Sequence, residues 1–229
     1  MLHDIAAIQH IYGANTTTRN GNDVYSWQPG EQILETIWDG GGNDRIDWSN
    51  QSTSALINLN AGEWSRLGPA YFNGEAYDHE TLAIAYDVTI ENAVGGSNDD
   101  RIIGNQVANT LIGGTGDDTL TGESGNDTLR GYGGAAEFDV LAGGSGSDSF
   151  ILGNAASVFY TGEGFAFITD FSRVDDRILL SGDISQYNVL TDDFNIGTTA
   201  VDTALYYQDD PIAVFQDTSE INVDNIVFV

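Results

Sequence analysis

The sequence predicts a mainly β fold: a parallel β solenoid of nonapeptides, led by one short helix and flanked by further strands. Three observations predict it. A nine-residue repeat occupies the middle of the 229-residue chain. On both sides of it, short runs of β-type residues alternate with Gly/Asn/Asp turn clusters. Apolar residues at helical spacing are confined to the start of the chain.

In chain order, residues 1–14 read as a linker helix. Leu2, Ile5, Ala6, Ile8, Gln9 and Tyr12 recur at three- and four-residue spacing, and Gly13 follows as the residue that ends the helix. Residues 15–92 form a β-rich segment leading into the solenoid, with strands expected at Asp23–Trp27, Ile33–Trp38, Arg45–Trp48, Ala55–Leu59 and Thr81–Ile90. Residues 93–151 carry the repeats: GGSNDDRII from Gly95, GNQVANTLI from Gly104, GGTGDDTLT from Gly113, GESGNDTLR from Gly122, an interrupted unit from Gly131 that resumes as EFDVLA, and GGSGSDSFI from Gly143. Residues 152–229 show alternating strands at Phe165–Phe171, Arg177–Leu180, Thr203–Tyr207, Ile212–Phe215 and Ile226–Val229, and read as an antiparallel cap.

Each repeat opens on glycine, reaches Asp at its sixth position and places one large apolar residue at its eighth: Ile102, Leu111, Leu120, Leu129, Leu141 and Phe150. Two repeats make one turn, so the apolar residues stack inside and the loops line two edges. One large side chain per repeat is little hydrophobic driving force against the entropy of ordering a glycine-rich loop. A hard cation between stacked loops supplies the missing stabilisation. Asp carboxylates and backbone carbonyls offer the all-oxygen shell of about six to eight ligands that suits calcium, and this GGxGxDxUx pattern is the calcium-binding nonapeptide. The register then pairs Asp100 with Asp118 and Asp118 with Asp139 on one edge, and Asp127 with Asp148 on the other. Asp118, in the middle of its edge, would serve two ions. Asn109 stands in for Asp in the second repeat and Asn98 for Gly in the first, which makes the N-terminal sites the weakest.

Composition agrees. Thirty-five acidic against seven basic residues give a net charge of -28 and a pI near 4.1, which excludes nucleic acid as a partner and points to cations. There is no cysteine, so neither disulfides nor thiol chemistry is available. No stretch is long and apolar enough for a membrane span, and no cleavable signal peptide is visible.

The chain resembles the C-terminal portion of the serralysin-type metalloproteases, zinc proteases with an appended calcium β-roll. The stretches MLHDIAAIQHIYGAN, TIWDGGGNDRIDWS and VTIENAVGGSNDD carry the likeness. The resemblance implies particular calcium ligands. Arg19, Gly21 and Asp23 would face Asp39, Gly41, Gly42 and Asp44 across one ion, and Thr89 and Glu91 would serve the start of the roll. Within the repeats it implies oxygens of Gly96, Asn98 and Asp100, of Gly114, Gly116 and Asp118, of Glu123, Gly125 and Asp127, of Asp139 alone in the interrupted unit, and of Gly144, Gly146 and Asp148. It further implies secretion to the extracellular space through type I machinery and an N-terminal protease domain as partner. Beyond about Ile151 the chain departs from that family and resembles the closing segment of other secreted repeat-bearing proteins, its end, Asp224 followed by Ile226 to Val229, being similar to the C-terminal signal read by type I secretion systems. The zinc motif HExxH and the Met-turn of that family are missing, since His3, His10 and His79 sit in other contexts, so no catalysis and no zinc are expected in this chain.

The functional expectation is therefore a non-catalytic calcium-binding module that folds outside the cell. A free-standing calcium-binding surface protein is the alternative, and an HExxH-bearing domain encoded upstream distinguishes the two. A hydrolase using paired carboxylates is a third reading, tested by activity screens on the isolated chain.

Overall fold

Side chains two apart on a strand share a face, so the sixth and eighth residues of every repeat must both turn inward. The computed structural model, which describes residues 2–134, 136–194 and 198–229, has this arrangement throughout. The chain winds as a β-roll between two parallel sheets. The first sheet runs Val24–Tyr25, Arg45–Asp47, Asn92–Val94, Thr110–Ile112, Thr128–Arg130, Ser149–Ile151, Arg177–Leu180 and Ile226–Phe228, every neighbouring pair parallel. The second runs Leu56–Asn58, Arg101–Asn105, Thr119–Glu123, Phe138–Ala142, Phe165–Ile168 and Asp210–Phe215, also parallel.

The core is two columns of stacked apolar side chains between these sheets. On the first sheet Ile46, Ala93, Leu111, Leu129, Phe150 and Ile178 lie in one register, and on the second Ile57, Ile102, Leu120, Leu141, Ile168 and Phe215 do the same. All twelve are fully buried. Phe171 sits where the columns meet late in the chain, its ring edge-on to Phe215 at 5.0 Å and tilted against Phe150 at 6.0 Å.

Three expectations need correction. The roll reaches beyond the repeats at 93–151: strands on both sides of them belong to the same parallel ladders. Among the described strands after the repeats, the expected antiparallel pairing is confined to Asp202–Tyr207, which pairs with Asp210–Phe215 on one side and with Tyr187–Asp192 on the other, and to the small hairpin of Gly153–Asn154 with Ser157–Val158. Alternating apolar residues fit a parallel rung as well as an antiparallel one, and connection length rather than composition decides between them. The strand expected over Thr81–Ile90 is short, Leu82–Ile84, because Asp87 at φ 63 turns the chain. Helix α1, Leu2–Tyr12, forms where expected and ends at Gly13 with φ 81, yet its apolar stripe is largely uncovered. Leu2 is buried and Ile5 packs on the core, whereas Ile8 and Tyr12 are exposed, the later turns meeting the roll through Gln9, whose amide donates to the Tyr86 carbonyl.

Candidate metal centre

The Asp that precedes each inward apolar residue by two positions is forced indoors with it. Asp44, Asp100, Asp118, Asp127, Asp139 and Asp148 are all buried, at 3% exposure or less. Each uses one oxygen in the same way: Oδ1 accepts the backbone N–H of the equivalent residue one turn earlier. On one edge Ala55 donates to Asp100 at 2.6 Å, Asp100 to Asp118 at 2.7 Å and Asp118 to Asp139 at 2.8 Å. On the other edge Asp23 donates to Asp44 at 2.7 Å, Asn109 to Asp127 at 2.7 Å and Asp127 to Asp148 at 2.8 Å. Glu91 occupies the same place between Asp44 and Asn109, its Oε2 accepting the Asp44 N–H at 2.7 Å.

The other oxygen is left over. Oδ2 of Asp44, Asp118, Asp127 and Asp148 is buried and has no hydrogen-bond partner among the described residues. A buried anionic oxygen without a partner costs several kcal/mol, roughly, so four carboxylates in this state call for a counter-charge. The opening glycine of each repeat faces this oxygen: a Cβ on Gly113, Gly122 or Gly143 would collide with the carboxylate of Asp118, Asp127 or Asp148 respectively. Gly114 and Gly116, with φ near 122 and 123, hold the loop backbone in the left-handed half of conformational space, where a side chain is disfavoured. An oxygen-only donor set built this way fits a hard divalent cation and offers nothing to a soft one.

Carboxyl protonation reflects the same burial. Burial pushes Asp118 up to about 8, with the charges of Asp139, Asp100 and Glu137 adding to it, and pushes Asp127 up to about 7. Asp100, Asp139 and Asp176 are raised to about 6, again chiefly by burial. These groups hold protons more tightly in the fold than in the unfolded chain. Without a cation, their protonation therefore contributes stability that is full below about pH 4 and is lost as pH rises through about 6 to 8. The calcium-free chain is accordingly expected to hold more β structure, and to resist heat better, at pH 5 than at pH 8, where it is expanded. Melts followed by circular dichroism check this, and an opposite slope would contradict the burial of the ladder.

The first candidate site lies ahead of the repeats. Carboxylate oxygens of Asp23, Asp39 and Asp44 lie within 4.8 Å of one another. Asp39 is fixed by the Tyr25 hydroxyl at 2.6 Å and the Gly41 N–H at 2.7 Å. Arg19, at φ 49, places its guanidinium 5.0 Å from the centre of the Tyr25 ring, and its carbonyl accepts the Gly40 N–H. Gly42 lies against the Gly21 carbonyl so closely that no Cβ fits. Thr89 shares a cleft with Asp39 and Gly41.

Within the repeats the remaining sequence-predicted residues engage through both backbone and side chain. Gly96 and Glu123 turn their carbonyls to the N–H groups of Thr115 and Ser145 on the next turn. Glu123 does so at φ 73 without being glycine, and its carboxylate accepts from the Asn60 amide at 3.2 Å. Gly125 donates to the Ser145 carbonyl, Gly144 to Asp170 Oδ2, and a Cβ on Gly146 would meet the Gly125 carbonyl. Asn98 donates its side-chain amide to the Ser52 carbonyl at 2.5 Å. Asp139 differs from the other ladder Asp in that its Oδ2 accepts the Tyr160 hydroxyl at 2.5 Å.

Sequence reasoning missed Asp176. It is buried, and its Oδ1 accepts the Asp148 N–H at 2.9 Å, which continues the ladder one turn past the last repeat. Asp170 was missed with it and binds the N–H groups of Gly143 and Gly144. The available signal was the triplet Asp176-Arg177-Ile178, the same acid-x-apolar unit as Asp44-Arg45-Ile46 and Asp100-Arg101-Ile102.

A family model described as the C terminal of peptidase M10 serralysin matches residues 3–214. Serralysin from Proteus mirabilis is 42% identical over 122 residues, which are 48% of this chain and 23% of that protein. The metalloprotease AprA of Pseudomonas entomophila (strain L48) is 40% identical over 121 residues, again 48% and 23%. Serralysin C of Dickeya chrysanthemi is 39% identical over 115 residues, 45% of this chain and 22% of that protein. The matched stretch thus spans less than a quarter of the length of these relatives. Among solved structures, the solution structure of the AlgE6R3 subunit of the Azotobacter vinelandii mannuronan C5-epimerase is 27% identical, with 58% of this chain and 80% of that one covered and a TM-score of 0.42.

Proposed function

This chain belongs to the serralysin C-terminal family, and from that premise we propose that it is the non-catalytic calcium-binding roll of a secreted, serralysin-like metalloprotease, exported by type I machinery and folded by extracellular calcium. One observation carries the calcium reading: the buried, unpartnered Oδ2 atoms of Asp44, Asp118, Asp127 and Asp148. The residues that would hold ions are Asp23, Asp39 and Asp44 with the backbone of Arg19, Gly21, Gly41 and Gly42; Thr89 and Glu91; and the loops ending in Asp100, Asp118, Asp127 and Asp148. Bound calcium supplies the positive charge that makes burial of these carboxylates favourable. The chain's own residues do the rest: Oδ1 sets the spacing between turns, the opening glycine leaves room beside Oδ2, and the apolar columns hold the strands in register.

Proteolysis, on this reading, belongs to a catalytic domain elsewhere in the whole protein; among the relatives, one is named a metalloprotease. Equilibrium dialysis of the chain against calcium tests the proposal. Several ions are expected per chain, undiminished by millimolar magnesium, which demands a tighter octahedral site. Failure to bind calcium at millimolar concentration would overturn it.

A further inference from the structure

The interrupted fifth repeat builds a turn unlike the others. Counting back two residues from the ladder Asp gives Gly116, Gly125 and Gly146 in the regular repeats, but Glu137 before Asp139. That side chain folds inward and is 1% exposed. Its Oε1 accepts the N–H of Gly133 at 2.6 Å and of Gly134 at 3.3 Å, and its Oε2 accepts the N–H of Gly116, one turn earlier, at 3.2 Å. One carboxylate therefore bridges two stacked loops.

A second group closes the other side. Tyr160, 1% exposed, reaches in from beyond the last repeat, donates its hydroxyl to Asp139 Oδ2 at 2.5 Å and accepts the Tyr132 N–H at 3.0 Å. Its ring leans on Tyr132 at 5.1 Å, and Tyr132 stacks on Phe159 at 4.9 Å, so the phenol is held by packing as well as by its hydrogen bonds. In the regular turns the corresponding Oδ2 atoms of Asp118, Asp127 and Asp148 have no partner. In this turn both carboxylates are already satisfied by the protein.

We infer that the turn joining Asp118 to Asp139 is fastened by Glu137 and Tyr160 in place of calcium, a protein-built clamp inside an otherwise ion-held edge. Asp139 is then a spacer of the ladder and not a calcium ligand, and on this edge Asp118 keeps the unpartnered carboxylate oxygen for an ion, the Asp100 Oδ2 accepting the Gly96 N–H at 2.5 Å. The inference rests on the calcium reading of the other turns.

Native mass spectrometry of the calcium-loaded chain tests it by counting ions. Asp139→Asn and Glu137→Gln are each expected to keep the parent's count, while Asp148→Asn loses at least one ion. Glu137→Gln is also expected to lower the melting temperature in saturating calcium by about 5 °C, since two loops lose a charged bridge. Loss of an ion from either of the first two variants overturns the clamp. An unchanged count in Asp148→Asn overturns the calcium reading instead, so the two failures are distinguishable. Should Asp139→Asn not fold, Glu137→Gln alone decides, with a retained count supporting the clamp.

Discussion

In chelator at neutral pH this chain is expected to lose its β spectrum and expand, and millimolar calcium is expected to restore both. A formal charge of -28 opposes compaction, and the ladder concentrates part of it in carboxylates that are buried and stacked one turn apart. The sites do not exist until the loops are stacked, so binding free energy is folding free energy. Extracellular calcium modules bind with dissociation constants on the order of 10⁻⁴ to 10⁻³ M. At about 10 mM calcium, a ten- to hundredfold excess over that constant, each site adds about 1.4 to 2.7 kcal/mol. Three or four sites together reach the whole stability of an ordinary domain, roughly 5 to 15 kcal/mol. The same range lies far above resting cytosolic calcium, which keeps the loops empty before export. Far-ultraviolet circular dichroism and a hydrodynamic radius in chelator and in calcium are the measurements, and a complete β spectrum in chelator would remove calcium from the folding mechanism.

The second large effect is expected at Asp148. Its Oδ1 satisfies the Asp127 N–H, its own N–H is satisfied by Asp176, and its Oδ2 is one of the unpartnered oxygens. Replacing it with Ala leaves a buried N–H unpaired and removes a ligand between two turns that both carry buried Asp. A loss of roughly 3 to 5 kcal/mol follows, as for other buried charge partners, or a fall of about 10 °C or more in melting temperature in calcium. Asp118→Ala is expected to cost less, because one of its two neighbours is held by Glu137 and Tyr160. Asp99→Ala serves as the control: Asp99 is exposed and accepts the Asp117 N–H at 3.0 Å, so its loss should cost under about 1 kcal/mol. Equal losses at Asp148 and Asp118 would mean that the two edges are built alike.

The repeats were legible because their period is constant. Asp100 and Asp118 are 18 residues apart and meet on one edge, which two nine-residue units per turn require. Asp118 and Asp139 are 21 apart, and the extra residues of the interrupted unit were visible as an insertion, but what the insertion does was not. Glu137 stands where a glycine is expected, and nothing in the spacing says that its carboxylate reaches back to Gly116. Tyr160 lies 21 residues beyond Asp139 with no periodic relation to it. From Asp148 to Asp176 the separation is 28 residues, so a search at fixed period loses the ladder there although the acid-x-apolar unit continues. Period reports the connections, whereas the unit that packs is only three residues long.

The ladder's hydrogen bonds join each turn to the next and skip none. A stack of this kind behaves as a row of nearest neighbours, without the long-range crosslinks that make a globular core fail as a whole. Damage in the middle therefore has an address. A turn that opens should divide the roll into two shorter stacks, each still zipped on its own side of the break, and a protease would find the fault line before it found either half.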